Sequence, residues 1–263
     1  MYCRMKDEMI EFLIESGSEI TGATTGAVIG GVVAGPAGAM LGIAGGKAVE
    51  KVFSKLGSEI KNRVLSKREN NKIGATATYA LEKIDENIKS GKKLRDDGFF
   101  ENDDTNRSTA DEIVEGIMFS AQREHEEKKL KYYGNLVANI AFDKTISREQ
   151  ANQLINISKR LTYRQIKLIN LFAINQQLPI QILRKEDYTN GGVSGCTLIS
   201  VLQDTLELYN IGLVGGNGSV ILEMPYIAPA DIRVQGMGAM LYNLMELSKM
   251  PYTELEDLIE VLK

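Results

Sequence analysis

The one histidine of the chain, His125, lies among three glutamates at positions 124, 126 and 127. A zinc-protease helix needs a second histidine four residues further on, and Lys129 occupies that position. The two cysteines, Cys3 and Cys196, are distant from His125 in the sequence, so the usual nitrogen and sulfur ligands of a zinc site are too few. We therefore interpret the His125 segment as a solvated helix face, and we expect Cys196 to be an unreactive thiol in apolar surroundings.

Two glycine motifs approach the pattern of phosphate-binding loops without completing it. Gly46-Lys47 matches the end of such a loop, but Leu41 stands where the first glycine is required and Ala48 where Ser or Thr would bind magnesium. Gly236-x-Gly238 lacks the third glycine of a dinucleotide-binding turn, because position 241 is leucine, and it does not open a βαβ unit. Neither motif predicts a nucleotide site.

Adjacent carboxylates complete the inventory of reactive groups. Asp103-Asp104 and Glu126-Glu127 stand in polar, charged segments, where paired acids solvate a surface more often than they exchange protons with a substrate. The chain shows no other arrangement typical of an activated nucleophile. We predict that the protein is not an enzyme, and that it holds no cofactor and no metal ion.

Composition limits the class of protein further. The chain has 263 residues and a net charge of −4, which gives no overall reason to bind a polyanion. Two cysteines are too few for a disulfide framework, which indicates a reducing compartment. Acidic residues at positions 7, 8, 11 and 15 occupy the place of a signal peptide's basic and apolar regions. We expect a cytoplasmic protein, and the frequent Ile, Asn and Lys fit a bacterial source.

The element that organises the chain is the stretch from Ile20 to Gly46, which contains no charged residue. Its glycines recur every fourth position and would form flat rows on one helix face, as in helix pairs that approach closely in lipid. The three rows are Gly22, Gly26 and Gly30; Gly31 and Gly35; and Gly38, Gly42 and Gly46. Pro36 predicts a break after Gly35, which leaves two helical arms at about 20–34 and 37–56.

A basic segment follows this stretch. Lys47, Lys51 and Lys55 recur at intervals of four and would share one helix face, where they could rest on anionic lipid headgroups at the inner membrane. The opposite face would carry Val49, Val52, Phe53 and Leu56. Three interpretations of the glycine stretch stay open: a membrane-inserted hairpin or kinked span, a soluble hairpin packed inside the protein or an oligomer, and a disordered segment.

The remaining pattern is mainly helical. Apolar periodicity predicts helices over residues 1–19, 72–90, 109–142 and 234–249, and a mobile loop over 91–108 in which Phe99-Phe100 is pinned to the core or docks a partner. Capping boxes are predicted at Thr109 with Glu112, Ser147 with Gln150, Thr162 with Gln165, and Thr253 with Glu256. A short helix or strand is expected after Pro179.

The C-terminal region carries a recognisable order of elements. A helix beginning at Thr162-Tyr163-Arg164-Gln165 is followed by an apolar helix over about 196–210 that ends at Asn210-Ile211-Gly212. Extended runs at 211–214 and 219–224 flank the turn Gly215–Gly218, which predicts a β-hairpin.

This order over about 160–248 resembles a winged-helix domain, and the glycine rows resemble the glycine zippers of membrane-associated and pore-forming proteins. The first resemblance implies a third helix that reads DNA, yet residues 196–210 contain no Lys or Arg to meet phosphate. We therefore expect a protein-interaction or dimerisation module. The second resemblance implies close helix packing and oligomerisation.

These observations combine into one expected architecture. We predict a mainly α protein with an N-terminal Gly-rich helical hairpin (1–70), a central helical region (71–145) and a winged-helix-like domain with a small β-hairpin (146–263). The expected function is non-enzymatic membrane association or self-assembly, as in a bacterial effector, with a homo-oligomer, membrane lipid and a protein bound by the C-terminal domain as partners. Two alternatives stay open: a soluble DNA-binding regulator, which would use the basic 61–72 segment, and a soluble scaffold subunit.

Overall fold

A computed structural model describes residues 46–61, 63–177 and 183–263. The predicted helix over 1–19, the glycine rows from Gly22 to Gly42, the break at Pro36 and the element after Pro179 lie outside these residues. Gly46, the last glycine of the third row, lies inside them at the start of a helix.

The predicted mainly α class is confirmed in the part of the chain that the structure describes. The helices are α1 (Gly46–Lys61), α2 (Lys67–Lys89), α3 (Thr109–Arg123), α4 (Leu130–Ile140), α5 (Arg148–Arg160), α6 (Tyr163–Gln177), α7 (Cys196–Asn210), α8 (Gly236–Leu244) and α9 (Glu256–Leu262). The strands β1 (Val214–Gly216) and β2 (Ile232–Val234) form one antiparallel pair. The chain divides into two compact units between Lys159 and Arg160.

The N-terminal unit is built around α2 and α4, which pack very closely. Gly134 of α4 makes this approach feasible, because a Cβ there would lie 2.6 Å from the Cβ of Tyr79 and 2.9 Å from the carbonyl oxygen of Thr76. Further along the same helix pair, the side-chain amide of Asn87 donates to that of Asn139 at 2.8 Å in a buried position. Small residues and a paired polar contact therefore set the geometry of this core.

Helix α1 adds its apolar face to the same unit. Its apolar side chains are almost fully buried, namely Val49, Val52, Phe53, Leu56 and Ile60. The helix face predicted from their spacing is thus confirmed. Burial of such side chains contributes about 1.5–3 kcal/mol each, so α1 is an integral part of the core.

The loop before α3 is held at several points rather than free. Arg95 is buried, donates to the carbonyls of Ile140 and Ile146, and lies over the ring of Phe99 at 4.5 Å. Phe99 is itself buried, so the prediction that this aromatic residue is pinned to the core is confirmed.

The single long helix predicted over 109–142 is wrong. Helix α3 ends at Arg123, a 3₁₀ turn spans Glu127–Lys129, and α4 then begins. The break occurs because Glu124 adopts extended backbone angles and its carboxylate accepts the backbone N–H groups of His125 and Glu126. A side chain that competes for backbone donors in this way ends a helix.

Two of the four predicted capping boxes are present in the structure. The boxes at Ser147 with Gln150 and at Thr162 with Gln165 are confirmed, with reciprocal bonds of 2.9 to 3.2 Å. The box predicted at Thr109 is wrong by one residue, because Ser108 and Asp111 form it. The box predicted at Thr253 is wrong because a 3₁₀ turn over Tyr252–Glu254 leads directly into α9.

In the C-terminal unit, α6 and α7 pack against each other and against the small sheet. The predicted helix over 196–210 is confirmed as α7, and Gly212 terminates it with φ +75°, a conformation that favours glycine. The small antiparallel pair predicted for this region is present, but the predicted pairing of residues 211–214 with 219–224 is wrong, since β1 pairs with β2 and Val214 faces Val234. The intervening residues form 3₁₀ turns at Met224–Tyr226 and Pro229–Asp231, where prolines interrupt an extended run.

Helix α8 is shorter than the helix predicted over 234–249. It begins at Gly236 and ends at Leu244, and a separate 3₁₀ turn follows at Leu247–Lys249. The Gly236-x-Gly238 motif has a structural role here, because a side chain at Gly238 would collide with the backbone carbonyl of Leu213.

Candidate functional site

The first candidate surface is the exposed face of α1, where the lipid-interface lysines were predicted. Lys47 and Lys51 are exposed and Lys55 is half-buried. The Lys55 ammonium lies 2.8 Å from a carboxylate oxygen of Asp111 and donates to the carbonyl of Asn106 at 3.1 Å. One of the three predicted lysines therefore fastens α1 to α3 and to the segment before it.

The other two lysines lie in mixed charge. The Lys51 ammonium donates to the side chain of Asn102 at 3.4 Å, and the exposed face also carries the acidic residues Glu50 and Glu59. This helix face therefore carries charge of both signs rather than a purely basic surface. Lipid contact by Lys47, Lys51 and Lys55 stays a prediction, as does helix packing through the glycine rows, of which the structure describes Gly46 alone.

Asp111 shows how tightly the α1 contact is held. Burial works to raise the pKa of Asp111, but the hydrogen bond from Lys55 and the backbone N–H of Ser108 outweigh it, so the pKa lies below its usual value. The same carboxylate thus completes the capping box of α3 and pairs with α1. Its role is structural, since both functions hold it in its ionised form.

The second candidate is a buried charged cluster at the break between α3 and α4. Glu124 and Lys129 are only 6% and 2% exposed, and their charged atoms lie 2.5 Å apart. The hydroxyl of Tyr133 donates to the same carboxylate at 2.7 Å, and the ammonium of Lys72 donates to the Glu124 backbone carbonyl at 2.7 Å. Together these groups join α2, the break and α4.

The Glu124 cluster has a structural role, because the protein's own donors occupy its carboxylate. Ligand atoms of Glu124, His125 and Glu126 lie within 4.8 Å of one another, a spacing that a metal ion could bridge. However, one oxygen of Glu124 accepts two backbone N–H groups and the other binds Lys129 and Tyr133, so its lone pairs are already used. Such a carboxylate is a poor metal ligand and a poor general base.

The titration behaviour of the cluster agrees with that role. Burial raises the pKa of Glu124, but the bond from Lys129 prevails and the pKa stays below the usual value. Burial and the bond to Glu124 raise the pKa of Tyr133. The prediction of a solvated helix face is thus wrong for Glu124 and Lys129, whereas His125 is exposed as expected. In the sequence, the signal for this cluster is an acid, Glu124, and a base, Lys129, five residues apart and followed by Tyr133.

A small apolar cavity lies beneath α1. It has a volume of about 20 Å³ and is lined by Val52, Phe53, Phe99 and Val137 among others. This space fits about one water molecule and offers it no polar partner, so we assign the cavity no ligand.

The third candidate surface belongs to the C-terminal unit. Val220, Leu222 and Tyr226, all in the connection between β1 and β2, are exposed by about half or more. The sequence pattern predicts a paired strand over residues 219–224, which does not indicate that Val220 and Leu222 are exposed. Cys196, at the start of α7, is also exposed, contrary to the apolar surroundings expected for it.

Helix α7 presents no cation at this surface. It contains no Lys or Arg, and its two acids are held by α6: Arg164 forms an ion pair with Asp204, and the side-chain amide of Gln165 donates to Glu207 at 2.8 Å. The charges of α7 are thus used to fix α6 against it.

Across the described residues, none of the helices has both the length and the apolar character that crossing a membrane requires. No family model, curated protein or solved structure matches this chain.

Proposed function

We propose that this protein is a non-enzymatic, self-assembling, membrane-associated protein that uses the stretch from Ile20 to Gly46 for both purposes. The observation that carries the proposal is the attachment of this stretch to α1. The stretch has no charged residue and its glycines recur every four positions, and it continues directly into a helix whose apolar face is buried in the N-terminal unit. Helix contacts formed by the glycine rows would therefore bring whole folded units together.

The C-terminal unit would supply contact with a protein partner. Its order of helices and strands supports a winged-helix-like module, and its exposed Val220, Leu222 and Tyr226 offer apolar surface. Helix α7 offers no cation for phosphate, which favours a protein partner over DNA. In a bacterial cell, this arrangement suits an effector that acts at the inner membrane.

The basic 61–72 segment gives the DNA-binding alternative little support. Arg63 lies 4.1 Å from the ring of Phe119 and pairs with Glu115, while Arg68 pairs with Glu127 at 2.8 Å. Lys72 is buried and donates to the backbone of the Glu124 cluster. These cations are bound to the protein's own groups.

The test is membrane association of the full chain. We expect the protein to pellet with anionic liposomes and to sediment as an oligomer in detergent, and we expect Gly30→Leu combined with Gly42→Leu to abolish one or both properties, because leucine would separate the rows. Gly191→Leu is the control, since Gly191 is exposed and a Cβ there would meet nothing within 4 Å. Unchanged pelleting and assembly size in the double variant would refute the proposal. A protein that stays soluble, assembled and without lipid affinity would support the scaffold alternative.

A further inference from the structure

The segment Ser219–Glu223, between β1 and β2, lies outside the sheet, and its side chains alternate in exposure as they do along a strand. Val220 and Leu222 are 72% and 73% exposed, whereas Ile221 between them is 5% exposed. Glu223 has φ −145° and ψ 165°, which is extended backbone. Alternate exposure in an extended chain means that Val220 and Leu222 point to the outer face and Ile221 to the core.

The backbone of this segment also has an inner and an outer edge. The N–H of Ile221 donates to the hydroxyl of Tyr209 in α7 at 3.3 Å, so this amide points inward. Amides of neighbouring residues in a strand point to opposite edges, which directs those of Val220 and Leu222 outward. Within the part of the chain that the structure describes, neither of these two backbone amides has a hydrogen-bond acceptor. Such an edge is a template for a further strand.

We propose that Ser219–Glu223 pairs with the same segment of a second copy of this chain, antiparallel and with the two Ile221 residues opposite each other. In that register Val220 of one copy faces Leu222 of the other, and both pairs can exchange two backbone hydrogen bonds. The exposed apolar side chains then cover one another across the strands. The register is self-complementary, as a two-fold interface requires.

The charge of this segment permits pairing with a second copy, whereas the small area it would bury limits the strength of that pairing. The one charged residue of the segment, Glu223, would face Ser219, so no like charges oppose each other. Five residues cover far less than the roughly 800 Å² per partner of a stable interface. The pairing therefore needs copies that are already concentrated, and it rests on the proposed assembly through the glycine stretch, which would raise the effective concentration.

The experiment is disulfide trapping in the full chain with Cys3→Ser and Cys196→Ser. Chains carrying Val220→Cys and chains carrying Leu222→Cys are co-expressed and oxidised with glutathione disulfide, and the products are distinguished by mass. We expect the mixed Val220→Cys with Leu222→Cys dimer to form several-fold faster than either like dimer, because these positions are opposite only in the antiparallel register. Val64→Cys, which replaces a fully exposed valine of the N-terminal unit, measures random collision.

Each outcome decides the inference. Like dimers that each form at half the rate of the mixed dimer or faster, as random pairing of two equally abundant chains predicts, would overturn the register. Linkage no faster than at Val64 would overturn the pairing. Sedimentation of the same samples separates this inference from the proposed function: an oligomer without mixed linkage refutes the pairing alone. Conversely, mixed linkage that survives Gly30→Leu with Gly42→Leu in an unchanged oligomer upholds the pairing and refutes assembly through the glycine rows.

Discussion

A single hydrogen atom in place of a side chain at Gly134 sets the distance between α2 and α4. The atoms that a Cβ would meet there include the backbone nitrogen of Ala80 and the carbonyl oxygen of Thr76, both at 2.9 Å. Backbone atoms cannot rotate away as a flexible side chain can. The helices would have to separate, and the buried contact between Asn87 and Asn139 would be stretched with them.

We expect Gly134→Ala to lower the free energy of unfolding by about 1–3 kcal/mol or more, as overpacked core substitutions do. Gly116→Ala is the matched control, because Gly116 also lies in a helix and its Cβ would meet the nearest atom, of Ile155, at an ordinary 3.6 Å. There the gain in helix propensity should raise stability by about 0.5–1 kcal/mol. Urea denaturation followed by circular dichroism measures both, and equal effects would contradict the close-approach argument.

The Glu124 cluster makes a second prediction at a single residue. Lys129→Met leaves a buried carboxylate without its cation, which costs about 3–5 kcal/mol in such pairs. Adding Glu124→Gln to that variant should recover part of the loss, because the uncompensated charge is gone. Arg68→Met breaks the more exposed ion pair with Glu127 and should cost under about 1 kcal/mol. Similar losses for Lys129→Met and Arg68→Met would show that burial of the pair is unimportant.

Among the helices, α2 begins with a complete capping box that also contacts a neighbour. Glu69 accepts bonds from the backbone and hydroxyl of Ser66 at 2.8 and 2.7 Å and from the side chain of Gln122 in α3 at 2.9 Å. These bonds, that from Gln122 most of all, lower the pKa of Glu69 to about 2. The capping of the N-terminus of α2 therefore depends on Glu69 being ionised.

This lowered pKa predicts an acid-sensitive contribution to stability. Because the folded-state pKa lies below the ordinary value of 4.5, the stabilisation is complete above that pH and is lost as the pH falls toward 2. Glu69→Gln keeps a capping side chain but removes the titration, so its stability should fall less between about pH 6 and pH 3 than that of the parent. Glu59→Gln, which removes one carboxylate at an exposed position of α1, is the control in the same urea titrations.

The elements differ in how far sequence could predict them. Helices α6 and α7 follow from caps, apolar spacing and a terminal glycine, all of which are local signals. At the break, Glu124 is bound by Lys72, Lys129 and Tyr133, which belong to three different segments. Apolar periodicity does not contain these contacts, so it predicts one continuous helix there. The partner of β1 lies beyond two proline-containing turns, and a glycine-rich tetrapeptide next to β1 gave a false hairpin signal.

The candidate surfaces show the same limit. The spacing of Lys47, Lys51 and Lys55 correctly placed them away from the apolar face of α1, because that is a property of one helix. It could not reveal that Lys55 meets Asp111, which is 56 residues away. Val220 and Leu222 are likewise exposed because β1 pairs with β2 and not with residues 219–224.

At the scale of the whole molecule, many charged side chains pair with one another. The chain has 31 basic and 35 acidic residues, and many described ion pairs join separate helices, such as those of Lys55 with Asp111 and Arg68 with Glu127. Both compact units follow this pattern, since Lys167 of α6 pairs with Asp257 of α9 at 2.7 Å. In the basic 61–72 segment, Arg63, Arg68 and Lys72 are bonded to the protein's own groups, which leaves them less available to a phosphate backbone.

We therefore expect the full chain to show no retention of duplex DNA in a gel-shift assay at low salt, where electrostatic binding is strongest. Arg63→Glu combined with Arg68→Glu serves as the comparison, since it should change nothing if these residues do not contact DNA. Salt-dependent binding that this variant abolishes would instead revive the basic 61–72 segment as a DNA contact.

The burial of one face of α1 also determines how mechanical load enters the protein. Any tension on the chain before Gly46 reaches the folded unit at the first turn of this helix. A pull along the helix axis would have to shear Val49, Phe53 and Leu56 past their neighbours together, whereas a pull away from the core would peel them off one turn at a time. Detachment of the helix would then be resisted at its third turn, because the ammonium of Lys55 joins that turn to Asp111. A force-spectroscopy experiment pulling at residue 46 would therefore record different rupture forces for the two directions.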